Sequence, residues 1–276
     1  MGAIITLTTD FGLTDAYVAA MKGVILGINP EAKLVDICHT IKPQNIAEAA
    51  FVLSTAYPFF PEGTIHVVVV DPGVGTERRA IILRTPTAFF AVPDNGVLSY
   101  IIQDYSTKSS KSKQPRKLGP ELEAVAITKP EFWRSPVSPT FHGRDIFAPV
   151  AARLSLGLPL KEFGETITSL TVLPLSQPYQ ETDGSLVGHI LHIDSFGNLI
   201  TDIKNGDLPR EKQSITIEVG DRHITGLSRT YAEAKKLLAL IGSSGYLEVS
   251  LKEGSASAFL KAKIGDEVRI KHNLRR

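Results

Sequence analysis

Cysteine is nearly absent from this chain, since Cys38 is the only one among 276 residues. A single cysteine excludes an intramolecular disulfide and is too few for a thiolate metal site. The seven histidines are scattered along the sequence, so we expect no bound metal. Such sparse use of cysteine is typical of proteins from reducing compartments.

The sequence also lacks long hydrophobic runs and an excess of charge of either sign. No run of about 18 apolar residues could form a transmembrane helix, and residues 1–10 lack the basic region and apolar length of a signal peptide. The 30 basic and 29 acidic residues give a net charge of +1, which favours neither nucleic acid nor an anionic membrane as partner. We therefore expect a cytoplasmic protein that binds a small molecule.

The stretch VVVVDPGVGTERR, residues 67–79, is the most informative part of the sequence. Four consecutive valines followed by proline and two glycines predict a short strand buried on both faces of a mainly parallel sheet. Asp71 lies at its carboxyl end, where α/β sheets bind ligands, and the glycine-rich loop could fold Arg78 back towards it. The alternative is a surface turn with a solvated ion pair.

Two further segments place polar residues at comparable positions. Asp10 follows a first predicted strand at residues 3–9, so it also lies at a carboxyl end. His142 and Arg144 precede a predicted helix, whose first backbone amides favour anions or electron-rich ligands. A purely structural role for the histidine is the alternative.

The two halves of the chain differ in their predicted elements. Residues 1–168 alternate strands with helices, which predicts an α/β domain with a doubly wound, mainly parallel sheet. Residues 169–184 are read as a linker and residues 185–276 as a smaller all-β, barrel-like domain. The predicted strands are 3–9, 34–38, 64–70, 80–84, 88–92, 125–128, 186–193, 199–203, 214–219, 223–227, 237–241, 246–251 and 268–272, and the predicted helices begin at residue 15 or span 45–56, 97–103 and 146–156.

Two segments leave alternatives open. Residues 232–240 taken alone could form a helix, although a hairpin of 237–241 with 246–251 is the interpretation adopted. Residues 106–117 are polar, basic and of low complexity, which predicts a surface loop, with a phosphate-binding patch as the alternative.

Four separated stretches together resemble one family. They are TTDFG at residues 8–12, DPGVGTER at 71–78, TFHGRD at 140–145 and IDSFGNLIT at 193–201. The family is that of the S-adenosyl-L-methionine (SAM) hydroxide adenosyltransferases, hydrolases that form adenosine and are related to the fluorinase and chlorinase. The resemblance implies an α/β domain, a β-barrel domain and a homotrimer in which SAM, the substrate, binds between the first domain of one subunit and the second domain of its neighbour. It implies no cofactor.

The resemblance also implies roles for individual residues. The residues that position the attacking water correspond to Asp71, Arg78 and His142. The implied substrate-binding residues are Asp10 at the ribose with Phe11 beside it, Asp194 at the methionine ammonium, Phe196, Asn198 and Tyr231 at adenine, and Ser243 at the methionine carboxylate. Asp71 and Gly143 follow the hydrolase pattern, whereas Gln44 stands where the fluorinase has a tryptophan over the ribose.

The chemistry of SAM hydrolysis is compatible with these residues. Displacement at C5′ releases a neutral thioether, so the leaving group needs no general acid, and a water in line with the C5′–S bond suffices. A guanidinium beside Asp71 keeps that carboxylate ionised and weakly basic, so His142, with an ordinary pKa near ~6.5, is the expected proton acceptor. The alternatives are a SAM-dependent 5′-halogenase and a non-catalytic protein that binds SAM or adenosine.

Overall fold

The structure is a computed structural model that describes residues 2–105, 115–233 and 236–272. Internal contacts divide the chain into two units, Met1–Pro174 and Leu175–Arg276. Each unit is built around its own sheet. None of the helices in the described part of the chain has the length and hydropathy needed to cross a bilayer.

Strands and helices alternate through most of the first unit. Its helices are α1 (Tyr17–Ile28), α2 (Ile46–Ala56), α3 (Ser99–Asp104) and α4 (Ala148–Ser155). Its strands are β1 (Ile4–Thr9), β2 (Lys33–Cys38), β3 (Thr64–Val69), β4 (Ala80–Arg84), β5 (Ala88–Pro93), β6 (Arg116–Lys117), β7 (Glu123–Ile127), β8 (Gly164–Ile167) and β9 (Ser169–Leu170).

The main sheet of the first unit is half parallel and half antiparallel. Its strand order is β2-β1-β3-β5-β4-β7-β8, with parallel pairing from β2 to β5 and antiparallel pairing from β5 to β8. Strand β3 alternates its side chains between two cores, since Val67 packs in the core with α1 and α4 and Val68 in the core with α2 and α3. Helices therefore cover both faces, as the doubly wound prediction requires.

The parallel half of this sheet positions the site. Strands β1 and β3 are neighbours in register, with Thr9 opposite Val69. The loops that begin at Asp10 and at Asp71 therefore leave the same edge of the sheet side by side.

Several predicted elements of the first unit differ from the observed ones. Strand β8 was not predicted, because its four residues are bounded by Gly164 and carry little apolar pattern. The predicted helix 146–156 is shorter and follows a π-helical turn, Gly143–Phe147. Residues 106–114 of the predicted surface loop lie outside the described residues, and the loop prediction is wrong for Arg116–Lys117, which pair with β9.

The second unit is antiparallel. Among its described residues lies a short α-helix, α5 (Ala256–Leu260), which was not predicted. Its strands are β10 (Tyr179–Gln180), β11 (Leu186–Ile193), β12 (Leu199–Lys204), β13 (Ile215–Val219), β14 (Arg222–Thr225), β15 (Leu237–Ile241), β16 (Tyr246–Leu251) and β17 (Glu267–His272).

The strand order of the second unit is β14-β13-β17-β11-β12-β16-β15, with β10 added beside β11. The last strand, β17, lies in the middle of this sheet between β13 and β11. The hairpin of β15 with β16 is confirmed, and the helical alternative for residues 232–240 fails over residues 237–240 because they pair with β16. The predicted fold class, an α/β domain with a smaller barrel-like β domain, is confirmed.

We predict that core burial makes α2 sensitive to truncation. Leu53→Ala removes a side chain that is fully buried in the core with β3, and it should lower the free energy of unfolding by about 2–5 kcal/mol. Leu26→Ala is the matched control, because Leu26 is 41% exposed on α1, and it should cost under about 1 kcal/mol. Urea unfolding followed by circular dichroism measures both, and equal losses would contradict the assigned packing.

Candidate active site

A single arginine, Arg78, contacts two other predicted site residues. Arg78 Nε donates to Asp71 Oδ1 at 2.9 Å, and its Nη2 donates to Asp71 Oδ2. The same Nη2 lies 2.9 Å from Nδ1 of His142. The side chains of Asp71 and Arg78 are only 4% and 11% exposed, so the pair is a buried bidentate one rather than a solvated surface contact.

The loop that carries Arg78 is held by its own backbone and by the His142 segment. Gly75 adopts φ +77°, and a Cβ built on it would lie 2.6 Å from the carbonyl oxygen of Pro139. Only glycine allows both the left-handed conformation and this close approach. The guanidinium carbon of Arg78 also lies 5.5 Å from the centre of the Phe147 ring, a cation–π distance. The two motifs are therefore brought together by packing of backbone and ring.

The arginine determines the protonation state of His142. A guanidinium only donates hydrogen bonds, so Nδ1 of the histidine must be the acceptor and the ring proton lies on Nε2. Burial lowers the pKa of His142, and the charge of Arg78 lowers it further, although Asp71 and Asp145 oppose this. The expected ordinary pKa is therefore wrong, and His142 is a neutral, weaker base than the sequence indicated.

A buried carboxylate organises the segment that presents His142. Asp145 is fully buried, and it accepts hydrogen bonds from Arg144 at 2.7 and 2.8 Å and from the Ser138 backbone at 2.9 Å. Burial alone would raise the pKa of Asp145, but these hydrogen bonds and the charges of Arg144 and Arg134 hold it below 3.8. The carboxylate stays ionised and ties residues 134–145 into one structure.

Asp71 and His142 line a pocket of about 240 Å³ at the edge of β1 and β3. Asp10 lies on its wall, and Asp10 Oδ2 accepts a hydrogen bond from the Gln44 backbone at 2.7 Å. Gln44 has φ +65°, a conformation that costs free energy in a residue other than glycine. Sequence reasoning missed this contact, because nothing in the residues around Gln44 signals a left-handed backbone.

Aromatic rings form the other wall of this pocket. Phe11 lies 5.8 Å from Phe141 and 5.6 Å from Tyr17, measured between ring centres. Beside them, a Cβ on Gly143 would lie 3.2 Å from Met21 Sδ and 3.5 Å from the Phe11 ring. The absence of a side chain at position 143 therefore lets the ring approach the turn that follows His142.

The predicted residues of the second unit line one other pocket, of about 790 Å³. They are Asp194, Phe196, Asn198, Tyr231 and Ser243, joined by the unpredicted Glu248. Phe196 is 77% exposed and Tyr231 is 50% exposed, which is unusual for large rings and leaves π faces available to a planar ligand. Burial, together with the hydrogen bond to Glu248, raises the pKa of Tyr231 to about 12, so its hydroxyl stays protonated.

The carboxylate oxygens of Asp194 accept hydrogen bonds within their own turn. Its Oδ1 accepts from the backbones of Phe196 and Asn198, both at 2.9 Å, and its Oδ2 accepts from the Asn198 amide at 2.9 Å. The turn continues through Gly197, where a Cβ would overlap Ser255. The carboxylate therefore fixes the backbone that carries the exposed ring of Phe196.

Within residues 2–105, 115–233 and 236–272, no group of three or more His, Cys, Asp or Glu side chains is arranged to hold an ion.

Two family models match the chain over most of its length. The SAM hydroxide adenosyltransferase N-terminal domain matches residues 5–164, and the C-terminal domain matches residues 188–269. A protein from Salinispora arenicola named (R)-S-adenosyl-L-methionine hydrolase is 37% identical over 96% of this chain and 97% of the relative. One of the same name from Methanocaldococcus jannaschii is 36% identical over 97% and 95%.

More distant relatives and a solved structure agree with this relationship. A protein named fluorinase from Nocardia brasiliensis is 28% identical over 97% of this chain and 96% of the relative. The crystal structure of an uncharacterized conserved protein from Thermotoga maritima matches with a TM-score of 0.85 and 36% identity, covering 96% of this chain and 99% of that one. The Thermotoga maritima protein therefore shares the fold of this chain. The chain belongs to the SAM hydroxide adenosyltransferase family.

We predict that Asp145 makes the protein sensitive to acid. The pKa of Asp145 is lowered in the folded protein. The stability that the ionised carboxylate contributes is therefore present above pH 3.8 and is lost as the pH falls through the pKa of the folded state. Asp145→Asn should therefore cost about 1.5–3 kcal/mol of unfolding free energy at pH 7 and much less near pH 3. Denaturant titrations at the two pH values test this, and a pH-independent cost would contradict it.

Proposed function

We propose that this protein hydrolyses SAM to adenosine and L-methionine. The observation that carries the proposal is the buried contact of Arg78 with both Asp71 and His142, in the pocket that also holds the Asp10 carboxylate. Relatives named as SAM hydrolases, similar over nearly the whole chain, support it.

The main requirement of the reaction is that the protein positions a water molecule. The water oxygen forms a bond to C5′, the C5′–S bond breaks with its electrons passing to sulfur, and the proton of the water passes to the Asp71 carboxylate and from there to bulk solvent. Because the sulfonium leaves as a neutral thioether, no acid is needed, and alignment of reactants can supply up to about 7–11 kcal/mol of such a barrier.

The Asp71, Arg78 and His142 set is suited to hold that water. Each Asp71 oxygen already accepts from Arg78 but retains a second lone pair for a water proton. His142 presents an N–H at Nε2, because its other nitrogen is occupied by Arg78. In this proposal Asp71 accepts from the water, His142 donates to it, and Arg78 fixes both.

Binding of the rest of SAM follows from the remaining groups. Asp10 has one carboxylate oxygen oriented by the Gln44 backbone, which leaves acceptor capacity for two vicinal ribose hydroxyls. Phe11 borders the same pocket. The purine is assigned to Phe196, Asn198 and Tyr231, and the methionine end to Asp194 and Ser243. No cofactor is required by this chemistry.

A 5′-halogenase is the second candidate, because a fluorinase is among the relatives. The buried carboxylate of Asp71 argues against it, since a fixed negative charge repels a halide at the position of the water. A protein that binds SAM without turnover is the third candidate, and the product analysis below distinguishes all three.

Incubation of the purified protein with SAM in chloride buffer should yield adenosine and methionine, identified by chromatography and mass. Asp71→Ala should lower kcat by about 10²–10⁴-fold and leave the Kd for SAM within about threefold, because Asp71 is assigned to the water. Asp221→Ala, at an 89% exposed side chain, is the matched control and should behave as the unaltered protein.

Other outcomes decide against the proposal. A 5′-chlorinated adenosine would favour the halogenase, and tight binding of intact SAM would favour the binding protein. Loss of SAM affinity with unchanged kcat in Asp71→Ala would remove Asp71 from the water site.

We further propose that the protein is a homotrimer in which the first-unit pocket of one copy and the second-unit pocket of a neighbour bind the same SAM molecule. The first pocket, at about 240 Å³, is smaller than the roughly 300–1,000 Å³ typical of sites that enclose a molecule of this size. The exposed aromatic rings lie in the other unit.

Mixing two inactive variants tests this arrangement. Asp71→Ala and Phe196→Ala impair different pockets, so copies refolded together at equal amounts should recover about a quarter of full activity if each site combines two subunits. Light scattering should give a mass near three times the 29.9 kDa of the chain. An active monomer, or no recovery in the mixture, would contradict the shared site.

A further inference from the structure

A short turn that follows β5 contacts both ends of the loop that carries Asp71 and Arg78. Its two polar residues are Asp94 and Asn95. Residues of these types commonly form turns for local reasons. Neither side chain is among the described residues that line the first-unit pocket, so neither is placed to contact a ligand there. Their hydrogen bonds lead to the loop instead.

Asn95 holds the end of β3 that leads into Asp71. The pairing of β3 with β1 ends at Val69, and its pairing with β5 ends at Val67. The carbonyl of Val70 therefore lies beyond both ladders, although Val70 is fully buried. Asn95 Nδ2 donates to this carbonyl oxygen at 2.9 Å. Because a buried carbonyl needs a donor, the side chain replaces strand pairing one residue before the carboxylate.

Asp94 holds the other end of the loop. Its Oδ2 accepts from Arg79 Nε at 2.9 Å, and its backbone N–H donates to the Arg79 carbonyl at 2.9 Å. Arg79 directly follows Arg78 in the chain, so its side chain and its backbone both tie this end of the loop to the turn. The Asp94 side chain is 4% exposed, so water screens the charge-assisted contact little.

The turn can hold the loop because it is itself anchored elsewhere in the first unit. Asp94 Oδ1 accepts from the Thr171 backbone at 2.8 Å. Gly96 has φ +100°, and a Cβ built on it would lie 2.8 Å from the side chain of Leu173. Glycine at this position lets the turn pack directly on Leu173. The turn is therefore fixed by a segment that lies outside the loop.

We propose that Asp94 and Asn95 are positioning residues, which place Asp71 and Arg78 for the reaction by fixing the backbone on either side of their loop. The inference rests on the proposed function for the reaction that the loop serves. Asp71 and Arg78 are joined by two hydrogen bonds, so a shift at either end of the loop moves both groups and the contact with His142. A displacement of about 1 Å can lower a rate by about 10²-fold.

The first test separates kcat from substrate affinity. Asn95→Ala should lower kcat, measured by release of adenosine from SAM, by about 10- to 100-fold. Titration calorimetry should give a Kd for SAM within about threefold of that of the unaltered protein, because the lining of the pocket is retained.

Asn29→Ala is the matched control. Asn29 is 5% exposed at the end of α1. Its amide likewise donates one hydrogen bond, to Ser155 Oγ at 2.8 Å, and accepts one from the Glu31 backbone at 3.1 Å. Both variants should lose stability in urea, because each leaves a polar group unpaired. Only Asn95→Ala should lose kcat.

Asp94→Asn tests the other end of the loop with little change of shape. It replaces the charged acceptor of Arg79 with a neutral one, which weakens the contact. It should lower kcat less than Asn95→Ala does and leave the Kd for SAM unchanged. The inference stays testable through this variant even if Asn95→Ala does not fold.

A spectroscopic readout needs no turnover. The ¹⁵N chemical shifts of the His142 ring, assigned by their loss in His142→Ala, report which nitrogen carries the proton. The unaltered protein and Asn29→Ala should show the proton on Nε2 alone, because Arg78 donates to Nδ1. Asn95→Ala should show both tautomers, because Arg78 moves with Asp71.

Several outcomes would overturn the inference. An unchanged kcat in Asn95→Ala would do so, as would an equal loss of kcat in Asn29→Ala. Loss of SAM affinity with unchanged kcat would place Asn95 at the ligand instead. Failure of the proposed function is seen separately, as an unaltered protein that converts no SAM. In that case mixed His142 tautomers in Asn95→Ala still support the positioning role, and a proton on Nε2 alone removes it.

Discussion

The guanidinium of Arg78 is the interaction on which the first pocket depends. It has donors only, so the two groups it contacts must both present lone pairs: the two oxygens of Asp71 accept from it, and the ring proton of His142 is placed on Nε2. The contact exists because Gly75 lets its loop pack against Pro139. Chemistry and packing are therefore parts of one constraint, and a side chain at position 75 would disturb both.

The buried carboxylates of the two units differ in their partners. In the first unit the buried carboxylates are matched by arginines within the same chain, which stabilises the folded protein before any ligand arrives. In the second unit Glu248 is buried with no basic side chain of the described residues within ion-pair distance, and it accepts hydrogen bonds from the hydroxyls of Tyr231 and Ser250 instead. The first arrangement fixes the geometry of the side chains, whereas the second leaves a carboxylate in the lining of the pocket.

The sequence predicts the parts of this structure that follow from local pattern. The valines before Asp71 give a buried strand, and the change to strand patterning after the linker gives the β domain. Strand β8 was missed because its residues lack apolar alternation, and its position is decided by pairing with β7. The lowered pKa of His142 and the burial of Glu248 arise from residues distant in the chain, so no local pattern could reveal them. The one local sign of Glu248 in the sequence is that it places a charge within the otherwise apolar start of β16.

The central position of β17 has a consequence for how the second unit is made. Strands β11 and β13 pair with β12 and β14 on one side, but on the other side they flank β17 and bond to it rather than to each other. Those two edges cannot be paired with β17 until the ribosome has released the chain to residue 272. The antiparallel sheet must therefore assemble late in synthesis, after its earlier hairpin β15–β16 has had time to form. During that interval one edge of β11 and one edge of β13 are exposed. The second unit therefore depends more than the first on rapid completion of the chain or on chaperones.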